Sequence, residues 1–271
     1  MNKVTKHALL VMACSIGAGL SQSSIAADGT ATVSIDWSQL QISVTGADGT
    51  VPNVTFSDEY TSLSSSAYVP NEGSEHNSKL IYDWTSTIAA NAEATTTTYA
   101  NASASPLSFS ANAQTMGDDN EYSYWDNSSA SSSGSRGEYF SFDGPGVLTV
   151  TVPYTLSLTG GDTFDYWDST SASINASANF YGYENNGSFN SYSNASFDLS
   201  SYYGESPQSQ SGNLVFGIFA AGPGSGSLNF DIHASARGVG MIPEPESYAM
   251  LLAGLGLMGL VVRRRSIKRD A

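Results

Sequence analysis

Val147-Leu148-Thr149-Val150-Thr151-Val152-Pro153-Tyr154-Thr155-Leu156-Ser157-Leu158-Thr159 decides the fold class. Leu148, Val150, Val152, Tyr154, Leu156 and Leu158 take every second place, and hydroxyl residues or Pro153 fill the places between. A period of two puts all six apolar side chains on one face of a strand. Gly144-Pro145-Gly146 before the run and Gly160-Gly161-Asp162 after it are turn punctuation. Pro153 has no N–H to give to a ladder, which predicts a bend there or a place at a sheet edge.

The same alternation recurs outward from this strand. Leu228, Phe230, Ile232, Ala234 and Ala236 alternate with Asn229, Asp231, His233, Ser235 and Arg237. Residues 213–221 are expected to pair with that run as a hairpin across Gly222-Pro223-Gly224-Ser225-Gly226. Residues 31–37 and 40–45 are two more candidate strands. Helical periodicity is scarce; residues 83–95 are the best helix candidate ahead of the C-terminal tail, weakened by their Thr content. The expected fold is all-β, an antiparallel β-sandwich or jelly roll.

Composition narrows the setting. The 271 residues include 46 Ser, 10 basic and 25 acidic side chains and one Cys, and carry a formal net charge of −15. Few ions beside many aromatics argue against wholesale disorder. Within residues 27–241 only Lys79, Arg136 and Arg237 are basic against 22 Asp and Glu, so this segment nets −19. Such a surface repels nucleic acid, which needs a basic footprint, and favours cations or neutral polymers as neighbours.

Both ends read as addresses. Residues 1–26 have the form of a secretory signal peptide: Lys3 and Lys6, an apolar stretch from Ala8 to Leu20, then Ser24 and Ala26 as small residues before a cut. Cys14 sits in that apolar stretch, so a cut after Ala26 leaves a chain with no Cys, held by its core or by bound ions. At the other end Ile242-Pro243-Glu244-Pro245 is stiff and extended. Residues 248–262 form an uncharged apolar run, and Arg263, Arg264, Arg265, Lys268 and Arg269 form a basic cap. The run predicts one C-terminal transmembrane helix, with the cap as a stop-transfer signal on the cytoplasmic side.

Residues 242–265, Ile-Pro-Glu-Pro-Glu-Ser-Tyr-Ala-Met-Leu-Leu-Ala-Gly-Leu-Gly-Leu-Met-Gly-Leu-Val-Val-Arg-Arg-Arg, resemble the PEP-CTERM protein-sorting signal of Gram-negative bacteria. Ile242 stands where that family usually has Val, and Glu246 where Ser is common. The resemblance implies handling by exosortase, with Pro243, Glu244 and Pro245 as the recognised element of a substrate. It also implies export to the cell surface or extracellular matrix of strains that make exopolysaccharide and biofilm. The expected organisation is a signal peptide at 1–26, a β-sandwich ectodomain at 27–241 and the sorting signal at 242–271.

Candidate sites in the ectodomain are sparse. Tyr122-Ser123-Tyr124-Trp125-Asp126 is echoed by Phe164-Asp165-Tyr166-Trp167-Asp168. Trp125 and Trp167 fit a pair of sugar platforms or, as large aromatics more often do, plugs at the ends of the core. Asp118, Asp119, Asn120 and Glu121, and separately Asp162, Asp165 and Asp168, could offer oxygens to calcium. Neither group has the spacing of a known calcium loop, so solvated loops and no cofactor are the expectation. His233 falls on the polar side of its strand. No Gly-x-Ser-x-Gly elbow and no His-Glu-x-x-His helix is present, and no enzyme is expected. The reading is a non-enzymatic exported surface or matrix protein. A carbohydrate-binding module with an aromatic site and an extracellular polysaccharide hydrolase are the alternatives.

Overall fold

The computed structural model describes residues 28–47, 49–116, 127–159, 169–184, 187–202 and 207–238. The signal peptide and sorting tail lie outside these residues. Among the described residues thirteen strands follow one another: β1 (Asp28–Asp36), β2 (Gln41–Gly46), β3 (Val54–Val69), β4 (Gly73–Ile81), β5 (Ile88–Glu93), β6 (Tyr99–Ala104), β7 (Ser108–Met116), β8 (Ser128–Phe142), β9 (Gly146–Thr159), β10 (Ser169–Glu184), β11 (Gly187–Tyr202), β12 (Gln208–Ala220) and β13 (Gly224–Gly238). They build two antiparallel sheets. One has the order β12-β9-β1-β7-β6-β5, with β2 also on β9; the other runs β11-β10-β13-β8-β3-β4. The fold is all-β, and the inward faces of both sheets share one apolar core.

The deciding run is β9, and all six of its alternating apolar residues are buried. It has partners on both sides, β12 on one and β1 and β2 on the other, which corrects the expectation of an edge at Pro153. β12 pairs along its full length on one side. On the other side β1 pairs as far as Ile35↔Tyr154, and β2 resumes at Gln41↔Thr151. Between them a 3-10 turn (Trp37–Gln39) leaves the ladder and sends Trp37 into the core. Val152 and Pro153 face that gap, so on this side the missing N–H has no ladder partner to lose.

Two further expectations are corrected. β12 and β13 are not a hairpin: β12 pairs with β9 in one sheet, and β13 lies between β10 and β8 in the other. The short connection carries the chain across the sandwich, and its Pro223 carbonyl accepts a hydrogen bond from the Tyr183 N–H in the β13 sheet. Each strand has a full apolar face to bury, and opposite sheets let Phe216 meet Phe230 edge-on at 5.8 Å. Residues 83–95 are a loop followed by strand β5, in which Ala90 and Ala92 alternate inward. The Ala-rich period is compatible with either structure, and pairing with β6 settles it.

Small and large residues interlock across the core. Alanines take most inward positions of β5, β6 and β7, while Phe140, Phe142, Phe180 and Phe230 stand among the inward residues of the six-stranded sheet. Gly226 pairs with both Phe180 and Phe140, and a Cβ there would meet the Asn179 carbonyl oxygen and lie 2.6 Å from the Phe140 ring. Its missing side chain lets those rings stack at 5.9 Å. Burying each such Phe or Leu stabilises the fold by ~1.5–3 kcal/mol.

Candidate ligand-facing surface of the six-stranded sheet

Period two that turns apolar residues inward turns the opposite set outward. On β8 that set is Ser129, Ser131, Ser133, Ser135, Gly137, Tyr139 and Ser141; register places Ser62, Ser64 and Ser66 beside it on β3, and Asp231, His233 and Ser235 on β13. The hydroxyls link in cross-strand pairs: Ser66 with Ser131 at 3.0 Å, Ser171 with Ser235 at 2.7 Å, and Thr55 with Ser141 at 2.6 Å. Short side chains here leave a groove of about 300 Å³ lined by Ser62, Ser64, Ser133, Ser135, Ser173, Asn175, Asp231 and His233.

A β-bulge makes a second depression beside it. Register shifts between Ser57 and Tyr60, so Asp58 and Glu59 together oppose Glu138, and Asp58 turns at φ 55°. The resulting cleft of about 800 Å³ is lined by Ser57, Asp58, Glu59, Tyr60, Leu80, Tyr82 and Tyr139. Tyr60 lies over Gly137, where any Cβ would collide with its ring, and donates from its hydroxyl to Asn229 Oδ1 at 3.1 Å. The same hydroxyl is 3.5 Å from Ser135 Oγ in the groove, so Tyr60 bridges the two depressions.

Behind the cleft the interior holds charge. Arg136 is fully buried on β8, its guanidinium 4.7 Å from the Trp37 ring and 5.3 Å from Phe109. Nη2 donates to the Ser105 carbonyl at 3.0 Å and the Trp84 carbonyl at 3.4 Å, while Nε and Nη1 have no hydrogen-bond partner among the described residues. Burial pulls its pKa down to about 10, partly offset by Asp83 and Glu59. Glu59 Oε2 in turn accepts from the Trp84 N–H at 2.9 Å, tying the bulge to the loop after β4. Glu138, also buried and facing inward, has its carboxyl pushed up to about 7 by burial and then by the negative charge of Glu59. In that loop, hydrogen bonds from Ser86 and then Thr85 hold the Asp83 carboxyl below its ordinary value.

His233 stands on the outer face, as its alternation predicts, and partial desolvation holds its imidazole below the ordinary value. Trp125, Trp167, Asp162, Asp165 and Asp168 lie outside the described residues. So do residues 118–121, Pro243, Glu244 and Pro245, and the basic cap at Arg263, Arg264 and Arg265. Among the described residues no three His, Cys, Asp or Glu side chains converge as a metal site would require. Sequence reasoning missed Arg136, Glu138 and the Tyr60, Tyr82 and Tyr139 cluster. For the buried pair a signal existed: Arg136 and Glu138 fall in phase with Phe140 and Phe142.

Residues 242–265 match the PEP-CTERM protein-sorting motif. The motif marks the chain as an exosortase substrate, exported to the cell surface or the extracellular space. No curated protein and no solved structure matches the chain.

Proposed function

We propose that the chain is a non-enzymatic surface or extracellular-matrix protein that associates with exopolysaccharide after exosortase has processed its tail near Pro243-Glu244-Pro245. Until the cut, the apolar run at 248–262 holds the chain in the inner membrane, with Arg263, Arg264 and Arg265 retained on the cytoplasmic side. The observation that carries the reading is the sorting motif at 242–265. The ectodomain charge of −19 supports it by disfavouring polyanionic partners. The hydroxyl-rich outer face favours a second, narrower reading, a carbohydrate-binding module.

Intact mass and fractionation test the proposal in two hosts, one with exosortase and one without. Loss of the tail near Pro243 and recovery with the polysaccharide fraction, only when the enzyme is present, is the expected result. An uncut, membrane-held chain in both hosts would refute it.

A further inference from the structure

We propose that a neutral polysaccharide chain docks across the outer face of the six-stranded sheet, from Tyr82 and Tyr139 over Tyr60 into the serine groove at His233 and Asn175. This inference rests on the exopolysaccharide reading above and gives it a place on the molecule. Three observations carry it.

The first is the clustering of exposed rings. Tyr82 is 79% exposed and Tyr139 56%, and both line the bulge cleft with Tyr60. Exposed aromatics on a polar face are binding candidates, because each presents an apolar ring and a polar tip. Tyr60 is already immobilised over Gly137 by its bond to Asn229, so stacking on it costs little side-chain entropy.

The second is shape. Cleft and groove meet at Tyr60, and Ser62 in the groove is the register partner of Leu80 in the cleft. The path crosses β4, β3, β8, β13 and β10, four interstrand spacings or about 19 Å. A path of that length along a shallow polar trough suits an extended polymer. A compact small molecule would need more enclosure.

The third is charge and polarity. Among the described residues no Lys or Arg lines either depression, whereas Asp58, Glu59 and Asp231 do. A polyanion is repelled, and among the described residues Leu80 is the one aliphatic side chain in the cleft, too little apolar surface for the centre of a protein interface. Serine and asparagine can donate to and accept from sugar hydroxyls, and carboxylates accept from them.

The test uses the exported, processed protein in affinity electrophoresis through gels containing hydroxyethyl cellulose, dextran, the producing strain's purified exopolysaccharide, or alginate as a polyanion. Retardation by a neutral polymer is expected, weakened about tenfold in Kd by Tyr82→Ala or Tyr139→Ala, equal to ~1.4 kcal/mol. Phe219→Ala, on the outer face of the other sheet, should bind as wild type. Retardation unchanged in both Tyr variants would overturn this site and leave the exopolysaccharide reading standing. Retardation by alginate alone would overturn the neutral-polymer assignment, and none in any gel would overturn site and reading together. Unchanged urea midpoints of the Tyr variants separate lost binding from lost fold.

Discussion

Replacing Glu138 by Gln should remove a pH dependence from the stability of the fold. In the folded chain its carboxyl is pushed up to about 7 from an ordinary 4.5. Between those values the folded state holds a proton that the unfolded state has released. Stability from this group is therefore fully present below about 4.5 and is lost as pH rises to about 7. At 1.36 kcal/mol per pH step, that window amounts to a loss on the order of 3 kcal/mol. The amide of the variant would keep the shape and the neutral state throughout. The assay is urea unfolding of wild type and E138Q at pH 5, 6, 7 and 8. With m of ~2–3 kcal/mol/M, the two midpoints should nearly coincide at pH 5 and separate by roughly 1 M at pH 8, the variant being the more stable. Subtracting the two profiles isolates Glu138 from His233, whose lowered pKa acts in the opposite direction by costing stability as pH falls. Parallel profiles for the two proteins would refute the assignment of Glu138 as a buried, proton-holding acid.

Arg136→Ala should cost about 3–5 kcal/mol by urea unfolding, because it empties the space between Trp37 and Phe109 and removes the donor bonded to the Ser105 and Trp84 carbonyls. Arg136→Met, which keeps the apolar stem, should recover roughly 1–2 kcal/mol of that loss; equal losses would show that packing plays no part. Gly226→Ala should lose about 1–3 kcal/mol through collision with the Asn179 carbonyl and the Phe140 ring. Gly187→Ala, with no described residue near its added Cβ, should stay within ~0.5 kcal/mol of wild type, and a similar cost at both sites would contradict the packing described.

The outcome of each strand assignment follows from what period-two patterning encodes. Alternation in 147–159 and 228–237 reports which side chains face inward, and the structure buries those sets. It carries no information on which sheet receives the strand, so Gly222-Pro223-Gly224 reads equally as a hairpin or as a crossover. The position of Pro153 was likewise hidden, because the gap that tolerates it is made by Trp37, over a hundred residues earlier. Ala90 and Ala92 were ambiguous because alanine suits helix and packed strand alike. The outer-face site was legible only in part. Serine runs such as 131–133 look like solvated filler until register lays them side by side. The Tyr60 cleft depends on a bulge at Asp58, and no motif announces it.

For an exported chain that emerges from its N-terminus onward, the strand order also sets a timetable of folding. β13 lies between β10 and β8, so until it arrives the six-stranded sheet exists as two halves, β11-β10 and β8-β3-β4. β13 ends at Gly238, and the sorting motif begins at residue 242. Closure therefore waits until nearly the whole ectodomain has been translocated. The other sheet waits too, since β1 pairs with β9 through Thr30↔Thr159. During that delay the half-sheets carry open edges, the state in which β proteins aggregate. Their inward faces are apolar, but outer faces of serine, asparagine and carboxylate add little apolar area for those edges to share. The same side chains proposed to meet sugar thus keep the unfinished molecule soluble in transit.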